Sequence, residues 1–338
     1  MKNDNIYSVQ QIGAQWPTFD PFLFTAHHKE VYPKGNDDMS VSEPLTGRNI
    51  GSDFSSKDGW SMYHGRKIPG FPYHPHRGFE TVTIVEEGLA DHSDSLGSAG
   101  RFGEGDVQWM TAGAGVQHSE MFPLLNTKDK NPLELFQIWL NLPKKSKMVE
   151  PSYKMLWHED IPIVHEKDQN GNSIEIKVIA GAYKNTNPLA STPNSWAADE
   201  NHNVGIWRVH LAPNAEWSLP ATAKTSNRAL YFYNGDSITV DSTNVSENVM
   251  FHVNPLAELK IKAGNTDTYI LILQGDPIGE PVAQHGPFVM NTRAELQQAF
   301  NDFQNTQFGG WPWDKQEMVH PKEKGRFALH ADGKLEEK

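Results

Sequence analysis

His74-Pro75-His76 and, about forty residues further on, His118-Ser119-Glu120 set donor side chains two residues apart. Side chains at that spacing share a face only on an extended strand, whereas a helix turns them to opposite sides. Each pair can therefore act together only in β-structure. The two pairs converge on one point if their strands face each other inside a barrel. Three imidazoles and one carboxylate leave one or two positions open on a six-coordinate ion, which suits a non-haem iron centre that takes up substrate or dioxygen.

The rest of the chain agrees with a β-fold. Phe79 to Val85 alternates and is rich in Thr, Val and Ile, Leu133 to Leu142 reads as one strand, and further strands are expected over 174–179, 204–211, 229–233, 237–240, 248–253 and 269–273. In the Leu133–Leu142 strand the face bearing Glu134, Phe136, Ile138, Leu140 and Leu142 is the better core candidate. Asn234-Gly235-Asp236 marks a hairpin, and Asp91 to Gly97 reads as a hairpin connection. One helix is expected from Thr292, with Glu295 completing a capping box and Leu296, Ala299, Phe300 and Phe303 at helical spacing, ending near Gln307-Phe308-Gly309-Gly310. Trp16 to Phe24, punctuated by Pro17 and Pro21, reads as edge strand and turn, and the charged tail from His320 reads as loosely held.

Length and charge narrow the function. An all-β chain of 338 residues favours two domains, and Pro143-Lys144-Lys145-Ser146-Lys147 is the best linker candidate, giving domains 1–145 and 146–338. The 30 basic against 42 acidic residues leave −12, which repels phosphate backbones, so direct nucleic acid binding is not expected. With no Cys there is no thiolate ligand, thiol nucleophile or disulfide, and a metal must be held by N and O donors. The N-terminal residues carry no secretory pattern and no apolar run is long enough to span a bilayer, so a cytoplasmic protein without membrane attachment is the expectation.

The second half repeats the strand-and-turn pattern without the donors. Where an equivalent pair belongs, before the Ala229 strand, it reads Trp217-Ser218-Leu219-Pro220-Ala221, so a single metal per chain is expected. The polar stretch 34–60 lacks periodicity; its place before the His-Pro-His segment makes it a candidate lid, and an irregular surface excursion is the plain alternative. His92, His210, His252 and the pair His27-His28 stand without partners at ligand spacing and read as surface or core. Phe71, Trp109 and Met110 are candidates for a pocket lining, although such side chains in a barrel are core more often than not. Gly113-Ala114-Gly115 reads as a tight turn, not a phosphate loop. Glu80 shares parity with His74 and His76 and competes with Glu120 for the carboxylate role, while Pro75 argues for a bulge or an edge strand.

Phe71-Pro72-Tyr73-His74-Pro75-His76-Arg77-Gly78-Phe79-Glu80-Thr81-Val82-Thr83, together with Gly105-Asp106-Val107-Gln108-Trp109-Met110-Thr111-Ala112-Gly113 and His118-Ser119-Glu120-Met121, resembles the signature segments of the pirin family. The similarity continues through Met148-Val149-Glu150-Pro151 and Gln284-His285-Gly286-Pro287-Phe288-Val289-Met290-Asn291-Thr292, covering most of the chain from Trp60 to Phe308. It implies an all-β protein of two double-stranded β-helix (cupin) barrels with a short C-terminal helix. It further implies one metal in the N-terminal barrel, held by His74, His76, His118 and Glu120, with Glu80 in a supporting role. Fe(II) is the metal the resemblance favours; Ni, Mn, Zn and Cu are alternatives. The implied activity is a quercetin 2,3-dioxygenase type of oxidation of a flavonol or related phenolic, with Glu120 as the catalytic base. The alternative is a redox-sensing iron protein that regulates a protein partner without catalysis, and the acidic surplus would steer in a basic one. Stretch 34–60 is longer than the family leads one to expect and could reshape the entrance.

Overall fold

A computed structural model describes residues 4–246 and 248–338. Strands dominate, and Arg293–Thr306 is the single α-helix among the described residues. Contacts divide the chain into two compact units that interleave in sequence: one comprises His27–Gln137, Leu142–His158 and Glu280–Lys338, the other the chain up to Ala26, Ile138–Asn141 and Glu159–Gly279. The division thus differs from a single cut after residue 145. The helix and tail, expected with the second barrel, pack with the histidine-bearing unit.

The histidine-bearing unit is built from two sheets. One runs in the order Ser152–Leu156, Val107–Thr111, Phe79–Glu87, Asn131–Asn141 and Phe22–Tyr32, the last two contributing residues 131–137 and 27–32 to this unit. The other runs Leu335–Glu337, Phe327–Leu329, Ala99–Gly103, Leu89–Asp94, Val116–Met121 and Gly70–His76. Val85, Leu133, Leu135 and Met155 from the first sheet and Phe102 and Ala328 from the second share one buried cluster, so the sheets face each other across it. Each large apolar side chain removed from water there contributes about 1.5–3 kcal/mol.

The Asn131–Asn141 strand buries Phe136, Ile138 and Leu140 on the face the sequence favoured, as expected, and its other face sends Leu133 and Leu135 into the cluster between the two sheets. Several expectations are corrected in this unit. Asp91 is no loop residue: Leu89–Asp94 is a strand, and the hairpin turn follows it. Lys147, placed in a linker, is buried, its ammonium donating to the carbonyls of Gly78 at 2.8 Å and Val289 at 3.1 Å. Burial lowers its pKa to about 8. The tail is held as well: Phe327–Leu329 pairs with Ala99–Gly103, and the Arg101 guanidinium, bidentate on Asp91, also donates to the carbonyls of His320, Pro321 and Lys324.

The helix forms as its cap predicts. Thr292 Oγ1 accepts from the Glu295 amide at 3.2 Å, and Glu295 Oε2 accepts from the Asn291 amide at 3.0 Å. Gln307 in the left-handed region ends it. Leu296, Ala299, Phe300 and Phe303 pack on Phe288, Met290 and Phe308, which fixes the hairpin of Ala283–His285 and Phe288–Met290 against the helix.

The second unit pairs Ile6–Gln11, Val249–Val253, Asn227–Asn234, Thr268–Gly275, Gly205–Leu211, Ser173–Ala180 and Ile163–Lys167 in that order, beside a four-stranded sheet of Glu216–Leu219, Leu259–Ala263, Ser237–Val240 and Thr243–Ser246. Its interior is filled by apolar side chains that include Leu230, Phe232, Ile270 and Ile272. Trp217 and Leu219, at the position where a donor pair was sought, belong to that core. No described helix is long and apolar enough to cross a membrane.

Candidate metal centre

Gly70–His76 is the outermost strand of its sheet, which is how Pro75 is tolerated: its missing N–H faces no further strand. It pairs with Val116–Met121 so that His74 stands opposite His118 and Phe71 opposite Glu120. Three residues on one strand thus span two on the other, a bulge that keeps both Phe71 and His74 turned inward despite their odd separation. The ring centroids of His74 and His76 lie 4.5 and 4.9 Å from that of His118, and the three residues bring ligand atoms within 4.8 Å of one another.

The hydrogen bonds around these rings select a metal-binding tautomer. His74 Nδ1 donates to the Pro72 carbonyl at 2.9 Å and His76 Nδ1 to the Pro287 carbonyl at 3.3 Å, which leaves the lone pair of each ring on Nε2. The Pro287 carbonyl is placed by the hairpin on the helix, where the Val289 amide donates to the Arg77 carbonyl. His118 is fully buried and neither of its nitrogens has a hydrogen-bond partner. A buried imidazole left without partners is costly unless a cation takes its lone pair. Burial lowers the pKa of all three histidines, helped by their neighbouring imidazoles, to about 4 for His74 and well below the ordinary imidazole value for His76 and His118. The rings are neutral near pH 7, as ligands must be. The residues fit a metal ion.

Glu120 Oε2 lies 3.7 Å from His118 Nε2. Its oxygens are held from the facing sheet, Oε1 by the Thr83 hydroxyl at 3.1 Å and Oε2 by the Gln137 amide at 3.0 Å. Burial raises its pKa, opposed by His92 and by these two hydrogen bonds, so its charge is poised to be stabilised by a cation alongside. Neither Thr83 nor Gln137 stood out in the sequence, because a lone Thr or Gln on a strand carries no spacing signal.

Glu80 turns away from the centre. Gly78, at φ 85°, ends one strand before the next begins, so parity does not carry from His76 to Glu80. Glu80 accepts from Trp109 Nε1 at 3.0 Å and Thr111 Oγ1 at 2.9 Å, on the face of its sheet opposite to Thr83. Glu80 and Trp109 thus bond each other on the face away from the histidines, and Trp109 does not line the space around them. Met110, across from Thr81, and Phe71 do face inward. His92 was set aside in the sequence, yet it lies opposite Glu120 with its ring 5.6 Å from that of His118. His28 bonds the Tyr63 hydroxyl, which in turn donates to the buried Glu30 carboxylate. His27 meets Glu134, while His210 meets Asp267 and His252 stacks on Phe19 in the second unit.

Stretch 34–60 contains a single short 3-10 turn, Lys57–Gly59, and is ordered by Arg48, which donates to Asp53 at 3.0 Å and to the carbonyls of Trp60 and Lys57. It carries Phe54, 55% exposed, to the edge of Tyr63, His64 and Phe71. Phe71 in turn lies 6.3 Å from the His74 ring. Gly113-Ala114-Gly115 is the expected turn, closed by the Gly115 amide on the Ala112 carbonyl.

Two predominantly β units, one gathering half-buried His74 with buried His76 and His118, define a protein of two cupin domains. The chain belongs to the pirin family. The Pirin profile matches residues 5–140 and the Pirin C-terminal cupin domain profile residues 206–309. Pirin-1 of Arabidopsis thaliana is 39% identical over 246 residues, 71% of this chain and 78% of that protein. A pirin-like protein of Caulobacter vibrioides is 37% identical over 242 residues, 71% of this chain and 81% of its own. Among solved structures, a quercetin 2,3-dioxygenase from Acinetobacter baumannii aligns with a TM-score of 0.71 at 27% identity, covering 90% of this chain and 98% of that one.

Proposed function

We propose that this protein is a metal-dependent dioxygenase acting on a flavonol or related phenolic, with His74, His76, His118 and Glu120 as the ligands of one iron(II). The observation that carries the reading is the pair of orphaned nitrogens on buried His118 beside the tautomer-locked His74 and His76, with the Glu120 carboxylate within 3.7 Å. When bound, the metal supplies a Lewis acid that lowers the pKa of a coordinated hydroxyl. The protein's part is to hold the three imidazoles neutral and to offer Glu120 as acceptor of the substrate hydroxyl proton. Thr83 and Gln137 aim the carboxylate, so the proton moves to a fixed oxygen. The name of the Acinetobacter baumannii neighbour supports the substrate class. Iron(II)-loaded protein incubated with quercetin in air is expected to consume oxygen and yield a ring-opened product by mass spectrometry, and Glu120→Gln is expected to abolish both. Oxygen uptake no greater than that of free iron would overturn the reading.

A further inference from the structure

His76 is oriented by a segment far along the chain, and a buried charge makes the join. Gly78 follows the ligand strand, and Val289 follows Pro287, whose carbonyl accepts from His76 Nδ1 at 3.3 Å. Between them the Val289 amide donates to the Arg77 carbonyl at 3.0 Å, and Arg77 bridges Phe288 in parallel register. The two backbones run so close that a Cβ on Gly78 would stand 2.0 Å from the Val289 oxygen. Lys147 Nζ ties them together, 2.8 Å from the Gly78 carbonyl and 3.1 Å from that of Val289, on a side chain that is almost fully buried.

An ammonium taken out of water must recover its lost hydration from the groups around it. Here it does so partly through two carbonyl oxygens on separate segments, by charge-assisted bonds stronger than those between neutral groups. Without the cation those oxygens would repel each other and lose a partner, and the hairpin would shift on the ligand strand. The contact at 3.3 Å, the longest of these ties, is the one that fixes the His76 proton. We propose that Lys147 is a positioning residue of the metal centre: its ammonium sets the register of the hairpin, so that the Pro287 carbonyl keeps the proton of His76 on Nδ1 and its lone pair on Nε2. The inference rests on the reading of His76 as a ligand and adds what holds that ligand in its binding form.

The test reads the tautomer and the affinity separately. Long-range proton–nitrogen NMR correlations of metal-free, 15N-labelled protein report which ring nitrogen of His76 carries the proton, the resonance being assigned with His76→Gln. Cobalt(II), a visible stand-in for iron(II), is titrated against a chelator. Wild type is expected to show a single Nδ1–H tautomer. Lys147→Met is expected to show both tautomers and a cobalt dissociation constant raised about tenfold or more. Lys147→Gln, one atom shorter and neutral, is expected to change in the same direction by threefold or more, and it decides the matter if Lys147→Met does not fold. Trp217→Phe, which loosens the core of the other unit, is expected to lower Tm with tautomer and affinity unchanged. A folded Lys147 variant with a single Nδ1–H tautomer and an affinity change below threefold overturns the positioning role and leaves the metal site standing. A wild-type His76 that already shares its proton between both nitrogens overturns it without any variant. Cobalt binding that His118→Ala fails to weaken overturns the ligand reading instead.

Discussion

Glu30 offers a direct measure of how strongly this barrel penalises buried charge. It is 4% exposed, and its Oε1 accepts from the Tyr63 hydroxyl. Burial raises its pKa from 4.5 to about 7, the Asp53 charge adding to this while the bonds from Tyr63 and Ser61 and the charge of Arg48 oppose it. At about 1.4 kcal/mol per pH unit, the displacement corresponds to about 3 kcal/mol of lost stability once the group must ionise. A raised pKa sets the sign: the folded state holds its proton more tightly, so nothing is lost below pH 4.5, and the cost grows as pH rises through 7. Glu30→Gln keeps the acceptor for Tyr63 and removes the charge. Thermal unfolding of metal-free wild type and variant should give equal Tm near pH 4.5. By pH 8.5 the variant should lead by about 6–12 °C, since 1 kcal/mol moves Tm by about 2–4 °C in a domain of this size. An equal gap at both pH values, or a variant less stable at pH 8.5, would refute the reasoning.

Three further outcomes follow from contacts at and around the site. Thr83→Val or Gln137→Leu removes one hydrogen bond that aims Glu120, and metal affinity in a competition titration should fall about 10–100-fold with Tm of the metal-free protein little changed. Arg101→Met leaves Asp91 charged and buried beside a tail stripped of its anchor; urea unfolding should show a loss of about 3–5 kcal/mol, and limited proteolysis should cut within 320–338. Arg48→Ala frees the segment around Phe54, so proteolytic nicking between residues 48 and 60 should rise well above wild type while the protein remains folded.

The gathering of His74, His76 and His118 was legible from their spacing, because a two-residue period has one structural meaning on a strand. The helix was legible for a similar reason, its cap being local. What stayed hidden depends on partners remote in sequence. Glu80 looked equivalent to the histidines because parity counting ran straight through Gly78, where the chain turns. Lys147 looked like a linker charge because nothing nearby reveals that the carbonyls of Gly78 and Val289 receive it. The tail looked loose because its anchor, Arg101, lies some 220 residues earlier. Phe22–Tyr32 was masked by Pro21 at its start and by His27-His28-Lys29 in its middle, although the alternation of His28, Glu30 and Tyr32 is that of an inward face.

The most direct test is anomalous diffraction at the iron edge from crystals of iron(II)-loaded protein. One peak per chain is predicted, about 2.0–2.3 Å from Nε2 of His74 and His76, a ring nitrogen of His118 and an oxygen of Glu120, and lost in His118→Ala. A peak elsewhere, or undiminished density after His118 is removed, would contradict the account.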